Sequence, residues 1–117
     1  MNQSDNYRHL VEIKSRIERA RVAHKYLLLS ESTSDLGLNQ LAFDAILFYL
    51  LNIGESVNHL NTDFKVRHSN IPWRLIIGLR HRLAHDHNSI KVEIVHKVLD
   101  RPLQDLKDLC NRFLSLE

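Results

Sequence analysis

Three glycines and two prolines are all that interrupt this chain of 117 residues. A backbone with so few breakers has little means of turning tightly and is free to run in long helices. The apolar spacing agrees. From about Asp5 to Ser30, apolar residues recur at Leu10, Ile13, Ile17, Ala20, Ala23 or His24, and Leu27, the three-and-four rhythm of one buried helical face. With 44% of residues hydrophobic, the chain has enough apolar material for one domain, residues 1–117, without disulfide or metal staples. The expected fold is all-α, an antiparallel bundle of four to five helices with short connections.

The later elements are placed by capping signals. Glu31 to Gly37 has a loop composition, and Asn39 is positioned to cap a second helix reaching about Leu60. That helix is apolar nearly all round, which predicts a central place in the bundle. Residues 61–70 are polar and basic, a loop with room for a turn of helix. Ser69 or Asn70 before Ile71-Pro72 marks the start of a third helix running to about His85. Asp86 to Ser89 breaks the pattern. A fourth helix covers about Lys91 to Asp100, and Pro102 opens a last one reaching about Leu116.

Several functional classes are disfavoured. The first eight residues lack the apolar core and small-residue cleavage site of a leader. The most apolar run, Leu41 to Ile53, is interrupted by Asp44 and falls short of the ~20 residues needed to span a bilayer, so the expectation is a cytoplasmic protein with no membrane partner. The single cysteine, Cys110, lies among Leu106, Leu109, Phe113 and Leu114 and reads as a small buried hydrophobe.

Charge is more informative by position than by sum. The net charge is only +2, yet Phe64 to His85 contains no acid, while Lys65, Arg67, Arg74, Arg80 and Arg82 supply positive charge. Such a segment suits a phosphate-bearing partner, and equally a solvated surface balanced by other helices. Within it, Arg80 stands out. At about 100° per residue it falls only about 20° from Trp73, inside the apolar arc formed with Ile76, Ile77, Leu79, Leu83 and Ala84. A guanidinium facing a core requires a carboxylate, a cleft or an interface. Asp44 and Glu55 share one stripe of the second helix with Phe48 and Leu51, and are the available partners. A plain structural ion pair satisfies the same spacing.

On the other side of the third helix, Arg74, Gly78, His81 and His85 fall within an arc of about 60°. Gly78 removes bulk where a ligand would approach. His85, near the expected helix end, is in position to swing toward Arg80 if the helix unwinds at Asp86. Imidazole is the usual proton carrier near neutrality, and arginine the usual stabiliser of a pentavalent phosphate. Histidines 81, 85 and 87 have spacings compatible with zinc, but no cysteine or well-placed glutamate completes a set, so no metal or other cofactor is expected. No glycine-rich phosphate loop or nucleophile motif is present.

Leu50-Leu-Asn-Ile-Gly-Glu-Ser56, then Ile71-Pro-Trp-Arg-Leu-Ile-Ile-Gly-Leu-Arg-His-Arg-Leu-Ala-His85 and Ile90-Lys-Val-Glu-Ile-Val95, resemble the HepT-like toxins of the HEPN superfamily. The resemblance covers most of the chain, and its most specific part is the Ile-Pro-Trp entry followed by Gly-Leu-Arg and, five residues after the arginine, His. It implies a homodimeric helical bundle and metal-independent endoribonuclease activity on an RNA substrate. It also implies a minimal nucleotidyltransferase antitoxin of the MntA type. The family arginine falls on Arg80, its neighbouring polar residue on His81, its catalytic histidine on His85 and its Gly-Glu acid on Glu55. His81, Arg74 and Arg82 would bind phosphates. Family members carry a tyrosine two residues after the histidine, to which the antitoxin attaches AMP; here that position is His87. Without a phenol that modification has no acceptor, so control by binding becomes the expectation. The change also admits His87 as an acid-base partner of His85. The alternative reading is a non-catalytic helical binding subunit of a nucleotidyltransferase complex.

Overall fold

The computed structural model describes residues 3–115, apart from the side chains of Gln3, Ser4 and His87. Six α-helices follow one another: α1 (Gln3–Thr33), α2 (Leu36–Asn58), α3 (Thr62–Arg67), α4 (Trp73–Asp86), α5 (Val92–Leu99) and α6 (Arg101–Leu114), with a 3-10 turn at His87–Ser89 between α4 and α5. Helices α1 and α2 form an antiparallel hairpin. Helix α4 packs on α2, while α6 packs on α1 and on α5. The long dimension of 46 Å matches the 31 residues of α1 at about 1.5 Å each. The core runs through Leu10, Ile13 and Ile17 of α1, Ile46, Ile53 and Val57 of α2, and Leu103 and Leu106 of α6, all almost wholly buried. Cys110 is also buried, and the apolar surroundings push its thiol pKa up to about 12.

The hairpin turn is much shorter than its composition predicts. Ser32 and Thr33 donate their hydroxyls back to the Leu29 carbonyl, which keeps them helical and extends α1 to Thr33. Ser34 adopts a left-handed conformation, with φ of 55°, and the Asp35 amide reaches back to the Ser30 carbonyl at 3.0 Å. This is the six-to-one closure of a helix C-terminus. Asp35 then caps α2 by accepting from the Leu38 amide at 3.0 Å. Asn39, expected to cap, lies inside the helix and donates to Ser30 Oγ.

Helix α2 is not encased. Leu41 is 69% and Phe48 59% exposed, and with Val22, Tyr26 and Leu29 of α1 they leave an apolar face open along the hairpin. The helix is apolar all round, with one side against α1 and α4 and the other side open among the described residues. At 23 residues it is long and apolar enough to cross a bilayer by length and composition, contrary to the shorter run read from the sequence. It carries Asp44 and Glu55 and packs along α1 and α4.

The approach to α4 is fixed by Trp73, whose indole N–H is shared between the Lys65 and His68 carbonyls at 2.9 and 3.0 Å. Phe64 of α3 packs against His68 with the rings tilted by 49° and meets Phe113 of α6 edge-on, closing that corner. The last helix is described to Leu114, and its expected end at Leu116 lies outside the described residues.

Candidate functional site

Arg80 sits where its apolar phase predicts, on the side of α4 that faces α2, with 28% of its side chain exposed. Its Nε and Nη2 both donate to Glu55 Oε1, at 2.7 and 2.5 Å. One carboxylate oxygen thus takes both bonds and leaves Oε2 outside this contact. The packing beneath is as specific as the ion pair. A Cβ on Gly54 would collide with Cβ and Cγ of Arg80, so the arginine stem lies directly on the α2 backbone. Glycine in a helix interior costs roughly 1 kcal/mol relative to alanine, and the close approach of Arg80 is what that position accommodates. Asp44, the other carboxylate of the stripe, is exposed and accepts from Gln40 at 2.8 Å. It is not a partner of Arg80, since it lies three turns away toward the hairpin end.

The other residues occupy the outer side of α4. His81 and His85 are exposed, with ring centroids 4.5 Å apart and planes tilted by 52°. Gly78 has open space where a side chain would stand, and Arg74 is exposed beside it. Helix α4 continues through Asp86 and passes into the 3-10 turn. His85 therefore stays in helical register, about 140° around α4 from Arg80, and does not swing toward it. Arg82 Nη2 donates to the Ser89 carbonyl at 3.3 Å, which folds the side chain onto the 87–89 turn. The side chain of His87 lies outside the described residues.

The basic segment is thinner than its charge count. Lys65 Nζ donates to the Val57 carbonyl at 3.2 Å, and burial lowers its pKa. With Arg80 paired and Arg82 hydrogen-bonded to its loop, Arg67 and Arg74 are the segment's exposed Lys or Arg residues with neither an ion pair nor a side-chain hydrogen bond among the described residues. No group of three or more His, Cys, Asp or Glu is disposed to hold a metal ion among the described residues.

Sequence reading missed a second polar cluster. His9, Glu12 and Arg16 of α1, Asn52, Glu55 and Ser56 of α2 and His59, which caps α2, line one cavity of about 190 Å³. Glu55 is therefore shared between Arg80 and this cavity. The signal was present as polar residues at i, i+3 and i+7 on the flank of an apolar stripe, a pattern that ordinarily marks solvent.

Residues 7–113 match the family described as Ribonuclease HepT-like, and the chain belongs to that family. Its relatives include the candidate RNase TTE0752 of Caldanaerobacter subterraneus, 29% identical over 65 residues, which cover 56% of this chain and 58% of that protein. The candidate RNase MJ1380 of Methanocaldococcus jannaschii is 28% identical over 82 residues, covering 66% and 75%. The candidate ribonuclease HepT of Thermococcus cleftensis is 28% identical over 91 residues, covering 74% and 83%. The match to the first relative thus spans little more than half of its length. No solved structure matches the chain.

Proposed function

We propose that this chain, as a single domain, is a metal-independent endoribonuclease of the HepT type and the toxin of a pair whose antitoxin is a minimal nucleotidyltransferase. The observation that carries the reading is the treatment of Arg80. An always-charged guanidinium is seated on a glycine, held by one carboxylate oxygen and left 28% exposed. That is the placement of a charge kept oriented for a ligand rather than dissolved in solvent.

In one chain Arg80 and His85 face different ways, so the catalytic pair is assigned to a homodimer cleft in which two copies of α4 contribute. The open apolar face supports a second copy. Phe48 lies on the same stripe of α2 as Glu55, so a copy covering Phe48 is brought next to the Arg80 ion pair. In that cleft one His85 takes the proton of the ribose 2′-hydroxyl, and the oxygen attacks phosphorus. The bond from phosphorus to the 5′-oxygen breaks, and the other His85 supplies the proton to the leaving oxygen. Arg80 stabilises the charge on the pentavalent phosphate, and His81, Arg74 and Arg82 hold flanking phosphates. The products are a 2′,3′-cyclic phosphate and a 5′-hydroxyl. His87 in place of a tyrosine removes the phenol that AMP transfer needs, so the partner acts by occupying the cleft.

The test is cleavage of RNA by purified protein in excess EDTA, comparing wild type, Arg80→Ala and His85→Ala. Metal-independent cleavage lost in both variants is the expected result. Equal activity in all three overturns the site. Binding of the nucleotidyltransferase partner without any cleavage by wild type establishes instead a non-catalytic subunit, the reading favoured by the neutralisation of Arg80 by Glu55.

A further inference from the structure

The core of the α1–α2 hairpin is apolar, and then near Glu12 its edge changes character. His9, Glu12 and Arg16 form one stripe on α1, and Asn52 and Ser56 of α2 with its C-cap residue His59 form another, and the two stripes line the cavity from opposite sides. The apolar part of the buried faces is supplied by Leu10, Ile13, Ile17, Leu50, Ile53 and Val57, and His9 and Ser56 are buried at its edge. The cluster is also incompletely satisfied from within. His9 is buried, and its Nδ1 has no hydrogen-bond partner among the described residues, with the Glu12 carboxylate 4.0 Å away. Arg16 makes no ion pair or hydrogen bond among the described residues. Leaving a buried polar atom unpaired costs stability, which suits a site completed by a ligand.

The chemistry of the lining restricts that ligand. Two carboxylates, Glu12 and Glu55, disfavour a free phosphate, and the described residues offer no metal-ligand cluster. A flat group with donors on one edge and acceptors on another fits both Glu12 and Arg16. Guanine is such a group: its N1–H and 2-amino donate to a carboxylate, and its O6 and N7 accept from arginine. His59 is exposed, and its ring stacks on His9 with planes 17° apart and centroids 5.4 Å apart. It offers the flat face on which unpaired RNA bases are held. Beyond His59 the surface continues as an open depression of about 400 Å³ lined by residues 58–63. Burial lowers the pKa of His9, which favours the neutral ring, with one nitrogen that donates and one that accepts.

We infer that this cavity is a nucleobase subsite that takes a guanine of the substrate RNA, with Glu12 and Arg16 reading its edges and His59 stacking on its face. The inference rests on the ribonuclease reading, and the wall shared through Glu55 places the base beside the phosphate that Arg80 holds.

The experiment has two arms. In the first, the His85→Ala protein is titrated with guanosine, adenosine, cytidine, uridine and inorganic phosphate, alone and with Glu12→Gln or His59→Ala added. Guanosine should bind tightest, and each added substitution should weaken it about tenfold or more, the scale of one lost base stack or edge contact. Equal affinity for all four nucleosides, binding of phosphate alone, or no binding overturns the subsite. In the second arm, RNA ends produced by wild type and by Glu12→Gln are sequenced. A guanine at a fixed position beside the cut in wild type, lost in the variant, supports the subsite; identical end composition overturns it. If cleavage depends on Arg80 but ends and affinities ignore Glu12, the subsite fails and the ribonuclease stands. If guanosine binds through Glu12 but RNA is never cut, the reverse holds.

Discussion

Two histidine pairs in this chain have nearly the same geometry and opposite surroundings. His81 and His85 sit 4.5 Å apart on one exposed helix face, with no bond between them among the described residues and an open glycine beside them. His24 and His96 sit 5.0 Å apart, joined by a 2.8 Å hydrogen bond that ties α1 to α5, with Glu31 4.0 Å from His96 and Arg21 bonded to Gln104 next to them. The first pair is free to meet a ligand. The second is a strut, because each ring is occupied by the other and burial lowers the pKa of His24. Spacing and residue type alone do not separate the two; the partners do.

The largest effect that would break this comparison is on activity. His85→Ala and Arg80→Ala should each reduce RNA cleavage by about 10²-fold or more, while His24→Ala should leave kcat within about twofold at a temperature where it is folded. Loss of turnover in His24→Ala without loss of structure would make the strut part of the site. Next comes Gly54→Ala, which disturbs Arg80 without touching either pair. Overpacking of a close contact costs roughly 1–3 kcal/mol, so Tm should fall and cleavage with it. An unchanged Tm would mean that Arg80 is not tightly seated.

The pH dependence is smaller. His9, His24 and His68 all have pKa values lowered from 6.5, chiefly by burial. The folded state then binds fewer protons than the unfolded chain as pH falls, so this stability is fully present above about 6.5 and is lost as pH drops through 6.5 toward the folded values. Tm should be flat from pH 8 to 7 and decline below 6.5, with a shallower decline in His24→Gln. The same slope in both proteins would deny the strut its role. The smallest effect is Ser34→Gly, which relieves the left-handed serine and should raise stability by about 0.5–1 kcal/mol. Any activity lost by His24 variants through instability should return in that background, whereas activity lost in His85→Ala should not.

The helices were legible because their signals are local. The apolar rhythm of α1, the proline-led start of α4 and the phase of Arg80 each depend on residues within a few turns. Reading failed where a side chain chose between competing local bonds. Ser32 and Thr33 look like loop residues, yet their hydroxyls bond the preceding turn; Asn39 looks like a cap, yet Asp35 stands one turn earlier. It also failed where a face meets another helix. Asp44 and Glu55 share a stripe, but only Glu55 is level with Arg80 once α4 crosses α2. Buried Asn6 and His9 extend the α1 stripe with polar residues, and hydropathy alone assigns them to solvent. Asn6 is retained inside because its Oδ1 accepts the Asn61 amide at 2.9 Å.

The missing side chain at position 54 also bears on how sequences of this kind diverge. Gly54 is disfavoured in a helix for its own sake, and the arginine that rests on it accounts for a glycine at this position. Once a descendant loses that arginine, nothing in this contact preserves the glycine, and mutation should drift toward alanine. Positions 54 and 80 would then change together, and among related chains the smaller residue becomes a historical record of whether the larger one is still in use.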